Sequence, residues 1–154
     1  MEIFKTSPEE LLNTKDDFLI EYYKALKENS ERIHPNNNKT CMYQIVEDNV
    51  IIGYIGLVDG IDKYGRCELK IRIFDEYMNK EYGTKAVELF TNKMFEDIHI
   101  HSIYGYFIDN PAAKQILIKN SFHYNEDESD EYYCYERDVR GLSWEVYYIE
   151  MKKK

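Results

Sequence analysis

The chain has 154 residues, with 20 Lys+Arg against 29 Asp+Glu, so it carries a formal charge of −9 at 44% hydrophobic content. That length suits a single domain, 1–154, large enough to fold without a metal or disulfide staple. The scattered Lys and Arg exclude a general nucleic-acid binder, and no apolar run approaches the roughly 20 residues of a membrane span. The opening residues lack a basic segment followed by an apolar one, which predicts no secretory leader. The three cysteines, Cys41, Cys67 and Cys134, are odd in number and far apart, as expected for reduced thiols in a cytoplasmic protein.

In chain order, Ser7-Pro8-Glu9-Glu10 is the first helix start: a cap, a proline at the first helical position, and a glutamate that completes a capping box. A second start at Thr14 opens a pattern in which Phe18, Tyr22, Ala25 and Leu26 recur at helical spacing until near Asn29. His34 to Asn38 is a loop by composition. The period then changes. Met42 to Val46 reads as a strand, Glu47-Asp48-Asn49 as a turn and Val50 to Leu57 as a second strand. A third strand, Cys67 to Phe74, alternates Leu69, Ile71 and Ile73 with Glu68, Lys70 and Arg72. Short connections make these three an antiparallel meander.

After a loop, Asp75 to Gly83, a helix is predicted from Thr84 to about Asp97, with Ala86, Val87, Phe90, Met94 and Phe95 on its apolar side. A strand follows from Ser102 to Ile108, with Ile103, Gly105 and Phe107 on one face. Asn110 caps and Pro111 opens another helix to about Asn120. Strand signals close the chain at Phe122 to Tyr124, Tyr132 to Arg137 and Trp144 to Met151, with an acidic loop from Glu126 to Glu131. A strand–helix–strand segment needs a crossover, so one strand pair is parallel. The fold class is α/β (α+β): a mixed, mostly antiparallel central sheet with helices on both faces.

The segment that carries chemistry runs from Glu68 through Gly83-Thr84-Lys85-Ala86. A strand ends, a short loop turns and a helix starts. Free N–H groups at a helix start, with the positive end of the dipole, form an anion site even in an acidic protein. Lys80 and Lys85 lie beside it. From local sequence alone the same stretch is also a plain loop leading into a helix. Glu68 is likewise a solvent-facing residue of an alternating strand, and Asn110 a helix cap.

These residues resemble the GNAT superfamily of acetyl-CoA-dependent N-acetyltransferases, in the branch with the ribosomal-protein and spermidine acetyltransferases. Glu68 to Ile73 is similar to the family's E-[LI]-x-[IV]-x-[IV] strand, and Met78-Asn79-Lys80-Glu81-Tyr82-Gly83 occupies its [QR]-x-x-G-x-[GA] loop. Downstream, Ile103-x-Gly105-x-Phe107-x-x-Asn110-x-x-Ala113 and Lys119-Asn120-Ser121-Phe122 resemble the family's next strand, its Asn-x-x-Ala turn and its Lys-x-Gly-Phe. Upstream, Gly53 to Leu57 resembles its Ile-Gly-x-Ile-x-Leu strand. The likeness runs from about Tyr43 to Tyr124.

The resemblance implies transfer of an acetyl group from acetyl-CoA to a primary amine, on a small amine, a polyamine or a protein, by direct attack. It implies Glu68 as the base. Ile71 and Ile73 would align the pantetheine arm, and Met78, Asn79, Lys80, Glu81, Tyr82, Gly83 and Thr84 would hold the pyrophosphate. Asn110 would contact the pantetheine end, and Lys114 would reach the adenine-side phosphate. No metal is implied, and His99 and His101 lack a third ligand in view. The partners expected are acetyl-CoA and an amine, with no nucleic acid and no membrane, and a homodimer as a prior. Met78, Glu81 and Ser121 depart from the pattern, and the tyrosine that many relatives use as leaving-group acid falls at Leu117. These departures motivate an alternative: a GNAT-like module that binds acetyl-CoA or regulates without efficient catalysis.

Overall fold

The computed structural model describes residues 1–6, 20, 41–57, 61, 65–107, 111–124 and 133–138. The expected N-terminal helices, the His34 loop, the acidic loop, the strand at Trp144 and the residue Asn110 lie outside them. The described strands form one seven-stranded sheet in the order β1-β2-β3-β4-β5-β7-β6. They are β1 Glu2–Lys5, β2 Cys41–Glu47, β3 Val50–Leu57, β4 Arg66–Ile73, β5 Ser102–Phe107, β6 His123–Tyr124 and β7 Tyr133–Asp138. The helices are α1 Tyr82–Met94 and α2 Pro111–Lys119, with a short 3₁₀ turn at Asp75–Tyr77.

The meander follows its turn chemistry. Glu47 pairs Val50 across a two-residue loop in which Asp48 and Asn49 both take positive φ, 49° and 64°. Short polar side chains tolerate that conformation, and it matches the twist of a hairpin. Strands β2, β3 and β4 pair antiparallel, as the short connections predict. The strand–helix–strand unit gives the expected parallel pair, β4 with β5.

One strand escapes the sequence reading. Glu2–Lys5 pairs with β2 as the sheet edge, in register Ile3↔Ile45 and Phe4↔Gln44. It is short and mostly exposed, so it carries little alternation to detect. Helix α1 also begins two residues before the expected Thr84 and ends at Met94 rather than near Asp97.

The apolar alternation of β4 decides the layers. Cys67, Leu69, Ile71 and Ile73 face the helices, with Glu68, Lys70 and Arg72 on the opposite side. Ile45, Ile55, Leu57 and Ile103 join that face, and Ala86, Val87 and Phe90 of α1 pack down on it, all essentially solvent-free. The Tyr43 ring meets Phe90 edge-on at 5.7 Å. Truncating a buried phenylalanine of this kind costs about 3–5 kcal/mol, so α1 is anchored by its middle and offers its first turn to the cleft. Arg137 of β7 fastens the far side, donating to Thr91 Oγ1 at 3.1 Å with its guanidinium over Phe95. No described helix is long and apolar enough to cross a membrane.

Candidate functional site

The parallel pairing of β4 with β5 is brief: Arg66↔Ser102, Cys67↔Ile103 and Glu68↔Tyr104. Beyond Glu68, the described partner of β4 is β3 alone, while β5 continues along β7. The two central strands therefore part like a fork, and the opening lies at the carboxyl end of β4, where open sheets with crossovers bind ligands. A cleft of about 350 Å³ fills the helix side of this opening.

Ile71 and Ile73 form its sheet wall. Met78, Asn79, Glu81, Tyr82, Gly83 and Thr84 line the turn and the first turn of α1. Thus eight of the residues expected from the sequence share one cavity. Lys80 is exposed beside them and does not line it, nor does the exposed Lys114. Asn110 lies outside the described residues. Glu68 stands on the other face of β4, half-buried, opposite Tyr104 at the last paired rung before the fork.

The second wall is supplied by α2, through Ala112, Ala113, Gln115, Ile116 and Lys119. Sequence reasoning gave none of these a role in the site, although Lys119-Asn120-Ser121-Phe122 was visible as a motif. The two helices meet at Gly83, where a Cβ would come within 2.7 Å of Ile116 Cδ1. A side chain at this position would have to push the Ile116 methyl aside, so glycine lets the seam close without that shift. Asn120 closes the same seam. Its buried Nδ2 donates to the Thr84 carbonyl at 3.0 Å and to the Ile116 carbonyl at 2.9 Å.

The residues standing where the family has glycine adopt glycine-like backbones. Glu81 has φ 64° and Ser121 φ 66°. At Ser121 the reason is a helix stop. The Ser121 N–H donates to Ile118 O and the Phe122 N–H to Leu117 O, the two bonds of a Schellman motif. Leu117 and Phe122, both buried, complete it with their apolar contact. Leu117 also lies beside Gly105 of β5, where a Cβ would touch its Cδ1 at 3.7 Å.

At Glu81 the backbone caps α1 without a side-chain hydrogen bond to the helix start. The carboxylate instead accepts from Lys119 Nζ at 2.8 Å. That hydrogen bond, together with the Lys119 charge, holds the Glu81 carboxyl below its ordinary value. No acidic residue occupies the first turn of α1, whose first residues, Tyr82, Gly83 and Thr84, line the cleft without a side-chain hydrogen bond capping the helix start. The cavity, the glycine-lined approach and the helix start fit a ligand with a narrow apolar arm and a phosphate group. Among the described residues no group of three or more His, Cys, Asp or Glu is gathered to hold a metal.

A family model described as an acetyltransferase (GNAT) domain matches residues 9–123. No curated protein matches the sequence. Among solved structures, the N-acetyltransferase PseH of Campylobacter jejuni in complex with acetyl coenzyme A is similar at TM-score 0.62 and 14% identity, covering 90% of this chain and 99% of that one. The ribosomal-protein-S5-alanine acetyltransferase of Vibrio fischeri gives TM-score 0.66 at 13% identity, covering 90% and 93%. A dodecameric spermidine N-acetyltransferase of Vibrio cholerae gives 0.64 at 16%, covering 92% and 98%.

Proposed function

The chain belongs to the GNAT acetyltransferase family, and from that premise we propose that it acetylates a primary amine, on a small amine, a polyamine or a protein, with acetyl-CoA as donor. The observation that carries the reading is the fork between β4 and β5. It opens onto the cleft on one face and onto Glu68 on the other.

When bound, acetyl-CoA supplies an acetyl group activated as a thioester: a neutral amine forms the new C–N bond as the C–S bond breaks, and CoA departs as the thiol with the proton that the amine sheds. The residues of the chain make that possible. The N–H groups at the start of α1, in the segment Met78 to Thr84, hold the pyrophosphate without a dedicated cation. The edge of β4 at Ile71 and Ile73 aligns the pantetheine arm, in the manner of a strand added to a sheet. Glu68 takes the proton from the acceptor ammonium, directly or through one water, so that the nitrogen lone pair is available. By family resemblance Asn110 contacts the pantetheine end, and Lys114 reaches the adenine-side phosphate. A cytoplasmic setting fits the odd, scattered cysteines, of which Cys67 is a buried reduced thiol that donates to the Ser102 carbonyl. A second copy of the chain would add most simply at the exposed β1 edge.

The test is a calorimetric titration with acetyl-CoA, with CoA as control, followed by thiol release in the presence of a panel of amines. Micromolar binding and amine-dependent release are expected. No binding at millimolar acetyl-CoA overturns the reading. Binding without release from any amine favours a module that holds the cofactor without turning it over.

A further inference from the structure

Glu81 puts a carboxylate at the mouth of a cleft suited to phosphate. Left to itself, that carboxylate would repel a phosphate and would also be drawn to the N–H groups at the start of α1, the donors a phosphate needs. The structure shows it doing neither. It turns across the cleft to Lys119, at 2.8 Å, and makes no hydrogen bond to the helix start. Both side chains are largely solvent-exposed, and an ion pair of that kind adds little to folding stability. The backbone at Lys119 is nevertheless tied down by its neighbours. Asn120 binds the adjacent residue position to Thr84 and Ile116, and the Schellman motif at Ser121 sets the end of α2. The other described cations at this mouth are differently engaged or placed: Lys85 pairs with Glu88 at 3.5 Å, and Lys80 does not line the cleft.

We propose that Lys119 is a positioning residue for the cofactor site: its ammonium ties the Glu81 carboxylate away from the start of α1 and so keeps those N–H groups open to the phosphates of acetyl-CoA. The proposal rests on the acetyl-CoA reading of the cleft and assigns to α2 a task that the phosphate loop cannot perform alone.

The test is a double-mutant cycle on the dissociation constant for acetyl-CoA, measured by calorimetry on the whole chain, with thermal midpoints confirming that each variant is folded. Lys119→Gln is expected to weaken binding roughly tenfold while Glu81 is present, and less than about twofold in a Glu81→Gln background. Lys119→Arg, which keeps the charge, is expected to restore affinity. An equal loss in both backgrounds would mean that Lys119 contacts the phosphate directly, and would overturn the proposal. No loss in either background would reduce the pair to a surface contact, with the same consequence. Failure of the unmutated chain to bind acetyl-CoA would instead remove the cofactor reading on which the proposal stands.

Discussion

The cleft has two walls of different origin. One is continuous in sequence: β4, the turn and the first turn of α1, from Ile71 to Thr84. The other is α2, which reaches the same space through contacts spanning 36 residues from Asn120 to Thr84 and 38 from Lys119 to Glu81. The first wall holds the groups expected to align the cofactor and bind its phosphate, and its strand carries Glu68 on the opposite face. The second sets the width of the cleft and the charge at its mouth with ordinary helix residues. Residues that supply reactive groups and residues that supply shape thus leave different traces, and variants in each wall should fail in different ways.

The largest effect is expected at Glu68, at the fork. Glu68→Gln should lower kcat by roughly a hundredfold or more with little change in KM for acetyl-CoA, read from steady-state kinetics across pH. Turnover unchanged at every pH would exclude Glu68 as the base. Gly83→Val attacks the seam where the walls touch. Its branched side chain has to displace Ile116, and about 1–3 kcal/mol of stability should be lost in urea denaturation, together with affinity for acetyl-CoA. Asn120→Ala removes two buried donations from the second wall, a loss of about 1–2 kcal/mol, and should raise KM for acetyl-CoA more than it lowers kcat. If KM stays fixed, α2 is scaffold alone and the contrast between the walls is weaker than drawn.

Two smaller effects refine the comparison. Ser121→Gly should raise stability by about 0.5–1 kcal/mol, because glycine takes φ 66° without steric cost, partly offset by its freer unfolded chain. A drop in the thermal midpoint would show that the serine side chain contributes something the backbone does not reveal. The smallest effect is pH-dependent. The folded Glu81 carboxyl titrates below its unfolded value because Lys119 bonds it and attracts its charge. Its contribution is therefore complete above the ordinary glutamate range and is lost as pH falls through the lowered folded value. The difference in thermal midpoint between the unmutated chain and Glu81→Gln should shrink over that acidic window and stay constant near neutrality.

The legible part of the site follows the same division. Ile71, Ile73 and the turn to Thr84 could be read because their residue types and spacing resemble the family's strand, loop and helix start; local sequence without that resemblance also fits a plain loop leading into a helix. Lys80 and Lys114 were read from the resemblance, which does not say which way a flexible side chain reaches; neither lines the cleft. Ile116 and Gln115 could not be read at all, because a helix residue that borders a cavity looks the same as one that borders solvent. The edge strand Glu2–Lys5 was missed for a related reason. Its pairing with β2 is decided by a neighbour some forty residues away, and its own four residues carry no strong period.

The sequence by itself determined the meander, the parallel crossover and the strand–turn–helix segment, since hydrophobic period and turn residues mark each element locally and a helix between two strands leaves only a crossover connection. It also marked Glu81 and Ser121 as departures from the family's pattern. Only the tertiary structure decided what those departures mean. Glu81 meets Lys119 at the mouth, and Ser121 ends α2 in a Schellman motif before Phe122. The physical reason is the range of the forces involved. Backbone preference and hydrophobic period act within a few residues and are written locally. The partner of an exposed charge and the width of a cleft are fixed by elements that meet only when the chain has folded.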